Sequence, residues 1–121
     1  MPLPNILPID VHVVQGFTAD VCTPGSAWAV APIRGRIIAA YSVIYAPITT
    51  ANNSWTMRVG GTTVTNSFSN QPFSGSAAGN VASCAPTANN LVDQGQAIEF
   101  LSDGVGSGVV PCMFFAVIRE E

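Results

Sequence analysis

The side chains best suited to acid–base chemistry are His12 and the carboxylates. His12 is the only histidine and follows Asp10 by two residues. A Ser-His-Asp site needs an aspartate that orients the imidazole and a serine nucleophile beside it, whereas residues at i and i+2 of a strand only share a face. The seven carboxylates are scattered and their spacing nominates no glycosidase pair. We therefore predict no catalytic residues, and a small hydrolase that uses His12 is the remaining enzymatic alternative.

A glycine-rich segment starts at Asp103 and invites comparison with ligand-binding loops. Glycine follows at positions 104, 106 and 108, between two predicted strands. A phosphate loop would lead into a helix or end in Gly-Lys-Ser/Thr, and a calcium loop would need more side-chain oxygens. The segment is instead typical of a flexible hairpin loop.

The three cysteines, Cys22, Cys84 and Cys112, contain no Cys-x-x-Cys motif. With a single histidine they offer no zinc-ligand spacing. The interpretation is three reduced, partly buried thiols in a protein made in a reducing compartment. We predict no metal and no cofactor.

The elements that would position these residues are short strands. Trp55, Met57 and Val59 alternate with polar residues, and Gly60-Gly61 then predicts a two-residue hairpin turn. Eleven glycines and nine prolines interrupt the chain, and no window has helical periodicity. The sequence predicts an all-β fold, an antiparallel β-sandwich or jelly roll, with one domain over residues 9–121. Further strands are predicted at 9–13, 33–45, 80–83, 96–102 and 109–119, with a turn at 86–90.

The longest predicted strand, 33–45, is apolar on both faces, as is the last strand. Strict alternation divides it into two rows of side chains. Such a strand is expected to be central in its sheet and covered on both sides. One row is Ile37, Ala39, Tyr41, Val43 and Tyr45, and the other is Ile38, Ala40, Ser42 and Ile44.

The first eight residues carry prolines at 2, 4 and 8 and are predicted to form an extended N-terminal arm. Its apolar residues are Leu3, Ile6 and Leu7. Two interpretations stay open, a frayed terminus and an arm that lies on a neighbouring subunit or on a capsid protein.

Composition excludes several partners. Charged residues make up 9% of the 121-residue chain, which has four arginines, no lysine and a net charge of −3. Four scattered arginines cannot neutralise a nucleic-acid backbone, and the longest apolar run is too short to span a membrane. Because so few charges cover the surface, we expect another protein chain to cover part of it.

Several turn and strand segments resemble a family of tailed-bacteriophage head decoration (cement) proteins. The resemblance covers about residues 33–118, and Cys84 and Cys112 stand where such sequences more often have aspartate, alanine or valine. The segments that carry it are Tyr41–Ile44, Ile48–Asn52, Arg58–Thr65, Ser74–Val81, Pro86–Asn90 and Gln94–Gly104.

The resemblance implies a non-catalytic β-sandwich that assembles in the host cytoplasm and stabilises the head from its outer surface. Its partners would be itself, as a homotrimer, and the major capsid protein whose subunits it bridges. Trp28, Tyr41, Tyr45 and Trp55 are candidates for the trimer interface because aromatic residues supply large contact areas, although each also suits an ordinary core position. The alternative is a carbohydrate- or receptor-binding module of a phage fibre or tail tip, in which Trp28 and Trp55 stack on sugar rings.

Overall fold

The computed structural model describes residues 11–121 and contains ten β-strands in this part of the chain. No helix within it has the length and apolar character to cross a membrane. The strands are β1 Val11–Thr18, β2 Gly25–Val30, β3 Gly35–Ile44, β4 Asn53–Val59, β5 Thr62–Thr63, β6 Ser69–Gln71, β7 Val81–Cys84, β8 Leu91–Val92, β9 Ala97–Ser102 and β10 Cys112–Glu120.

The strands form two five-stranded antiparallel sheets that pack face to face. Sheet A has the order β1-β10-β3-β7, with β8 also paired to β3, and sheet B has the order β2-β9-β4-β5, with β6 also paired to β4. Near both ends of the chain, consecutive strands belong to alternate sheets. In sheet A the late strand β10 lies between the early strands β1 and β3, and in sheet B β9 lies between β2 and β4. This topology is that of a jelly roll, and it confirms the predicted all-β sandwich.

In sheet B, β4 and β5 form a hairpin, and the residues of β4 alternate between buried and half-buried up to a two-glycine turn. Along β4 the odd-numbered residues from Asn53 to Val59 are buried and the even-numbered ones are half-buried. Gly60 and Gly61 follow with φ angles of 59° and 80°, which only glycine adopts without strain. The predicted turn at this position is confirmed.

The core between the sheets is centred on three aromatic rings. Trp55 and Phe100 belong to sheet B, and Phe114 belongs to sheet A. Trp55 meets Phe114 edge-on at 5.3 Å between ring centroids and meets Phe100 at 5.9 Å. Phe100 and Phe114 stack at 5.0 Å. This cluster joins the two sheets through favourable aromatic geometry.

A chain of buried polar side chains runs beside the aromatic cluster. Trp55 Nε1 donates to Ser42 Oγ at 2.9 Å, and Ser42 Oγ donates to Gln71 Oε1 at 2.9 Å. Gln71 Nε2 donates to Asn53 Oδ1 at 2.9 Å, and Asn53 Nδ2 lies 3.0 Å from the carbonyl oxygen of Val21. Because these groups satisfy one another inside the core, they fix how the sheets face each other.

The rows predicted for residues 33–45 need correction. Val117 and Ile118 of β10 pair with Ala39 and Ile37, so Ile38 is an extra residue in β3, a β-bulge. The bulge moves Ile37 out of its predicted row and into the core beside Ala40, and it leaves Ile38 exposed, whereas Ala39 stays in the predicted row with Tyr41. Because of this one extra residue, the part of β3 before the bulge faces the opposite way from the strict alternation that the sequence predicted.

Other boundaries also differ from the sequence expectation. The first strand continues to Thr18. Strands β2, β6 and β8 were not predicted, and the last two have only three and two residues. Strands this short carry too little alternation to be recognised. The predicted arm, residues 1–8, lies outside the described residues.

The glycine-rich segment is a loop between two strands, as predicted, but it is not a hairpin loop, because β9 belongs to sheet B and β10 to sheet A. Asp103 anchors this loop. Its carboxylate accepts hydrogen bonds from Ser54 N at 3.2 Å, Ser54 Oγ at 2.7 Å and Val105 N at 2.9 Å. Gly104 packs against Pro24 so closely that a Cβ atom would lie 2.3 Å from the proline ring. Glycine is therefore required at 104 for packing as well as for its φ angle of 73°.

Candidate binding surfaces

The outer face of sheet A is a broad apolar surface, which we call the apolar face. Backbone pairing aligns its residues in three rows that cross β1, β10 and β3, and two of these rows continue onto β7. No element within residues 11–121 packs over these rows, and Val13 and Tyr41 are 58% and 42% exposed. The rows are Val13-Val117-Ala39, Gln15-Phe115-Tyr41-Ser83 and Phe17-Met113-Val43-Val81.

Charge is confined to one end of the apolar face. Beyond the first row, Val11 pairs with Arg119, which pairs in turn with Arg36, and Arg36 forms an ion pair with Glu121. At the other end Tyr45 lies against Phe17, with ring centroids 6.4 Å apart. The three central rows contain no charged residue. Exposed apolar patches occur at protein, membrane and ligand-binding sites, so the apolar face is a candidate binding surface.

The outer face of sheet B is different, and we call it the polar face. Trp28, which is 57% exposed, pairs across the strands with Glu99, and Glu99 pairs with Arg58. The Ser26 hydroxyl donates to Glu99 Oε2, and Arg58 Nε lies 3.8 Å from Glu99 Oε1. The polar face therefore offers one exposed aromatic ring next to fixed hydrogen-bonding groups.

A shallow depression lies on the same side of sheet B. Exposed Phe68 borders it, together with Ser54, Thr56 and Leu101. It combines an apolar wall with hydroxyl groups.

The four predicted interface aromatics do not share a surface. Tyr41 and Tyr45 lie on the apolar face and its end, and Trp28 lies on the opposite sheet. Trp55 is 1% exposed and belongs to the core cluster. The prediction that Trp55 contacts a second subunit or a sugar is therefore wrong, because packing between the sheets removes it from the surface. Leu3, Ile6 and Leu7 lie outside the described residues.

The apolar residues of β1 and β10 were not nominated from the sequence. Val13, Phe17, Met113 and Phe115 carry the apolar face together with Tyr41. The signal was present, since the last strand is apolar on both faces. Alternation alone does not show which of the two rows of side chains faces the second sheet and which faces outward.

The thiols have little nucleophilic character. Burial raises the pKa of Cys112 to about 12, with a further contribution from Cys22. Burial also raises the pKa of Cys84 and of Cys22, and for Cys22 the carboxylates of Asp20 and Asp103 add to the effect. All three are free and at least half-buried, as the sequence suggested. A thiol is a nucleophile only as its thiolate, so these are packing residues.

Asp20 is held by donors from two loops. Burial raises its pKa, but hydrogen bonds from the Val110 N–H, the Thr23 hydroxyl and the Cys22 N–H outweigh burial and lower the pKa overall. The N–H groups lie 3.1 Å and 3.0 Å from Oδ1, and the hydroxyl lies 2.9 Å from Oδ2. Within residues 11–121, no three histidine, cysteine or acidic side chains come together as a metal site.

The fold and the two outer faces define a β-sandwich with candidate binding surfaces. Neither protein-family models nor curated proteins match the chain. Solved structures do: a CBM35 carbohydrate-binding module from Abf62 of Cellvibrio japonicus has a TM-score of 0.53 at 18% identity, covering 93% of this chain and 99% of that one.

A second module, Xyl-CBM35 in complex with a glucuronic-acid-containing disaccharide, has the same TM-score and identity and covers 86% of this chain and 73% of its own. At this identity the likeness establishes a common β-sandwich fold, one that these carbohydrate-binding modules use.

Proposed function

We propose that this chain is a non-catalytic decoration protein of a tailed-bacteriophage head. It binds the outer surface of the shell as a homotrimer and bridges neighbouring major capsid subunits. The observation that carries the proposal is the uncharged apolar face, which suits burial against protein. The resemblance over residues 33–118 supplies the class of partner.

The stabilising mechanism needs no chemistry. A protein that binds only the mature shell stabilises that shell by mass action. Three copies held in one assembly present three contacts at high effective concentration, so weak individual contacts suffice. Leu3, Ile6 and Leu7 of the N-terminal arm are the proposed contacts with the capsid or with a neighbouring subunit.

The test is co-sedimentation of the purified protein with empty, expanded heads assembled from the major capsid protein of the same genome. We expect saturable binding and a higher melting temperature of the heads. Deletion of residues 1–8 should weaken binding and leave the oligomer intact. Unchanged affinity after the deletion would remove the arm from the proposal, and absence of binding by the intact chain would overturn the proposed function.

Carbohydrate binding is the second candidate, and Trp28 on the polar face favours it. Sugar rings stack on exposed aromatic rings, and Ser26, Glu99 and Arg58 offer donors and acceptors beside Trp28. The fold shared with carbohydrate-binding modules also supports this candidate.

A glycan array with the intact chain, Trp28→Ala and Val30→Ala distinguishes the two functions. Val30 is a neighbour of Trp28 on the same strand and face, so it controls for general effects on that surface. Binding that Trp28→Ala abolishes and Val30→Ala retains would establish the carbohydrate function. A blank array together with head binding would reject it.

A further inference from the structure

We infer that the apolar face is the surface through which copies of this chain associate with one another. The inference rests on the proposed function in one respect, since it assigns a surface to the homotrimer. It departs from the sequence-level interface by excluding Trp55 and by placing Trp28 on the side that stays open.

The apolar face is continuous across sheet A. Two of its three central rows cross four strands and the third crosses three, and Phe115 of β10 lies between Gln15 of β1 and Tyr41 of β3. The apolar face is therefore a single patch. Its polar atoms in the middle row, those of Gln15, Tyr41 and Ser83, can form hydrogen bonds across an interface without a buried charge.

The area of the apolar face also suits association between copies. Its three uncharged rows span five residues of each long strand at about 3.4 Å per residue, across four strands about 4.8 Å apart, which gives a footprint of roughly 300 Å². The largest apolar patch on a typical monomer is of this size and is often functional. Three copies that meet at this face would each contribute the same footprint, so they would bury roughly 900 Å² in total, the size of a small interface.

The charge distribution also favours contact between copies. Copies arranged around a threefold axis present the same face to one another, so they bring like charges together unless that face is neutral. The central rows are neutral, and Arg36 and Arg119 lie together at one end, where Arg36 already pairs with Glu121. The polar face would instead bring two copies of the Glu99–Arg58 pair into contact. A second copy of this chain is therefore the occupant that the apolar face fits.

The chain offers a matched pair of substitutions. Val13 is 58% exposed on the apolar face, and Val30 is 60% exposed on the polar face. Both lie in strands at the edge of their sheets. Val13→Glu and Val30→Glu therefore introduce the same charge at similarly exposed positions of edge strands, and they differ in the face that carries it. Tyr41→Glu, at the centre of the apolar face, is a second variant.

The experiment is multi-angle light scattering after size exclusion, with circular dichroism to verify folding. We expect a mass of three times the 12.5 kDa of one chain for the intact protein and for Val30→Glu. Val13→Glu and Tyr41→Glu should elute as folded monomers. If the two apolar-face variants remain oligomeric, another surface makes the contact and the inference is wrong.

Head binding separates this inference from the proposed function. An intact protein that is a monomer, and that loses head binding in Val13→Glu and not in Val30→Glu, would assign the apolar face to the capsid and overturn self-association. The expected pattern of masses without any head binding would leave the inference standing and overturn the decoration function.

Discussion

The two outer faces of this sandwich obey the same alternation and present opposite chemistry. On both sheets every second residue points away from the core. In the three central rows of sheet A those residues are mainly valines and aromatics and none is charged, whereas in sheet B they include Ser26, Thr56, Arg58 and Glu99. The exposed apolar surface is therefore a property of one sheet and not a consequence of the fold.

The difference between the two faces shows where the apolar residues of this chain, in which only 9% of residues are charged, lie in the two-layer structure. A β-sandwich needs only its inner faces to be apolar. Sheet A is apolar on both faces, so its outer face adds nothing to the core of a single copy. The excess of apolar residues is explained if a second protein covers it, and the polar face then remains available for a ligand or for solvent.

The largest difference in stability is expected between substitutions of the two tryptophans, because Trp55 is in the core and Trp28 is on the surface. Trp55→Ala should lower the free energy of unfolding by about 3–5 kcal/mol, because it removes a buried aromatic side chain. It also deprives Ser42 of its hydrogen bond from Nε1. Trp28→Ala should change stability by no more than about 0.5 kcal/mol, since that ring is exposed. Urea denaturation measures both, and similar losses would contradict the placement of the two residues.

An intermediate loss of stability is expected when the buried, hydrogen-bonded side chains that link the two sheets are interrupted. Asn53→Ala removes the partner of Gln71 Nε2 and a donor to Val21 O and Val105 O. A buried group left unpaired costs about 1–3 kcal/mol, so we expect a loss of about 2–4 kcal/mol in urea denaturation. Asn70→Ala is the control, because Asn70 is an exposed asparagine on the outer side of sheet B. Equal effects of the two substitutions would show that the network does not stabilise the sandwich.

The smallest expected effect is a pH-dependent change in stability, and it comes from the loop that joins β1 and β2, the edge strands of the two sheets. Asp20 lies between β1 and β2, and its pKa is lowered in the folded protein. Its carboxylate therefore stabilises the folded state above the ordinary pKa of 3.8, and this contribution is lost as the pH falls below that value. Chemical denaturation over this range should show the stability difference between the intact protein and Asp20→Asn shrinking with acid. Thr23→Val, which removes one donor, should reduce the pH dependence, and a constant difference would contradict the assignment.

Much of the fold could be predicted from residue patterns. Alternation in β4 and β9, the Gly60-Gly61 turn and the absence of helical periodicity determined the fold class. The bulge at Ile38 could not be predicted, because an extra residue in β3 is defined only by its pairing with β10. The two-residue strand β8 exists only because β3 lies beside it.

The candidate surfaces were predicted less completely than the fold. Tyr41 and Tyr45 were selected for their size, and the structure places them at the apolar face. Trp55 was selected for the same reason and is buried, because a large aromatic residue in an alternating strand suits the core and the surface equally well. Phe17 and Phe115 were missed, since only the packing of the two sheets shows which of two apolar rows remains outside.

The sequence by itself determined that this chain is a β-protein with few charges, a short list of reactive groups and strands that are apolar on both faces. Those properties depend on local alternation and on composition. Only the tertiary structure decided which apolar residues are buried and which form a surface, because a strand alone presents two equivalent faces and the second sheet covers just one of them.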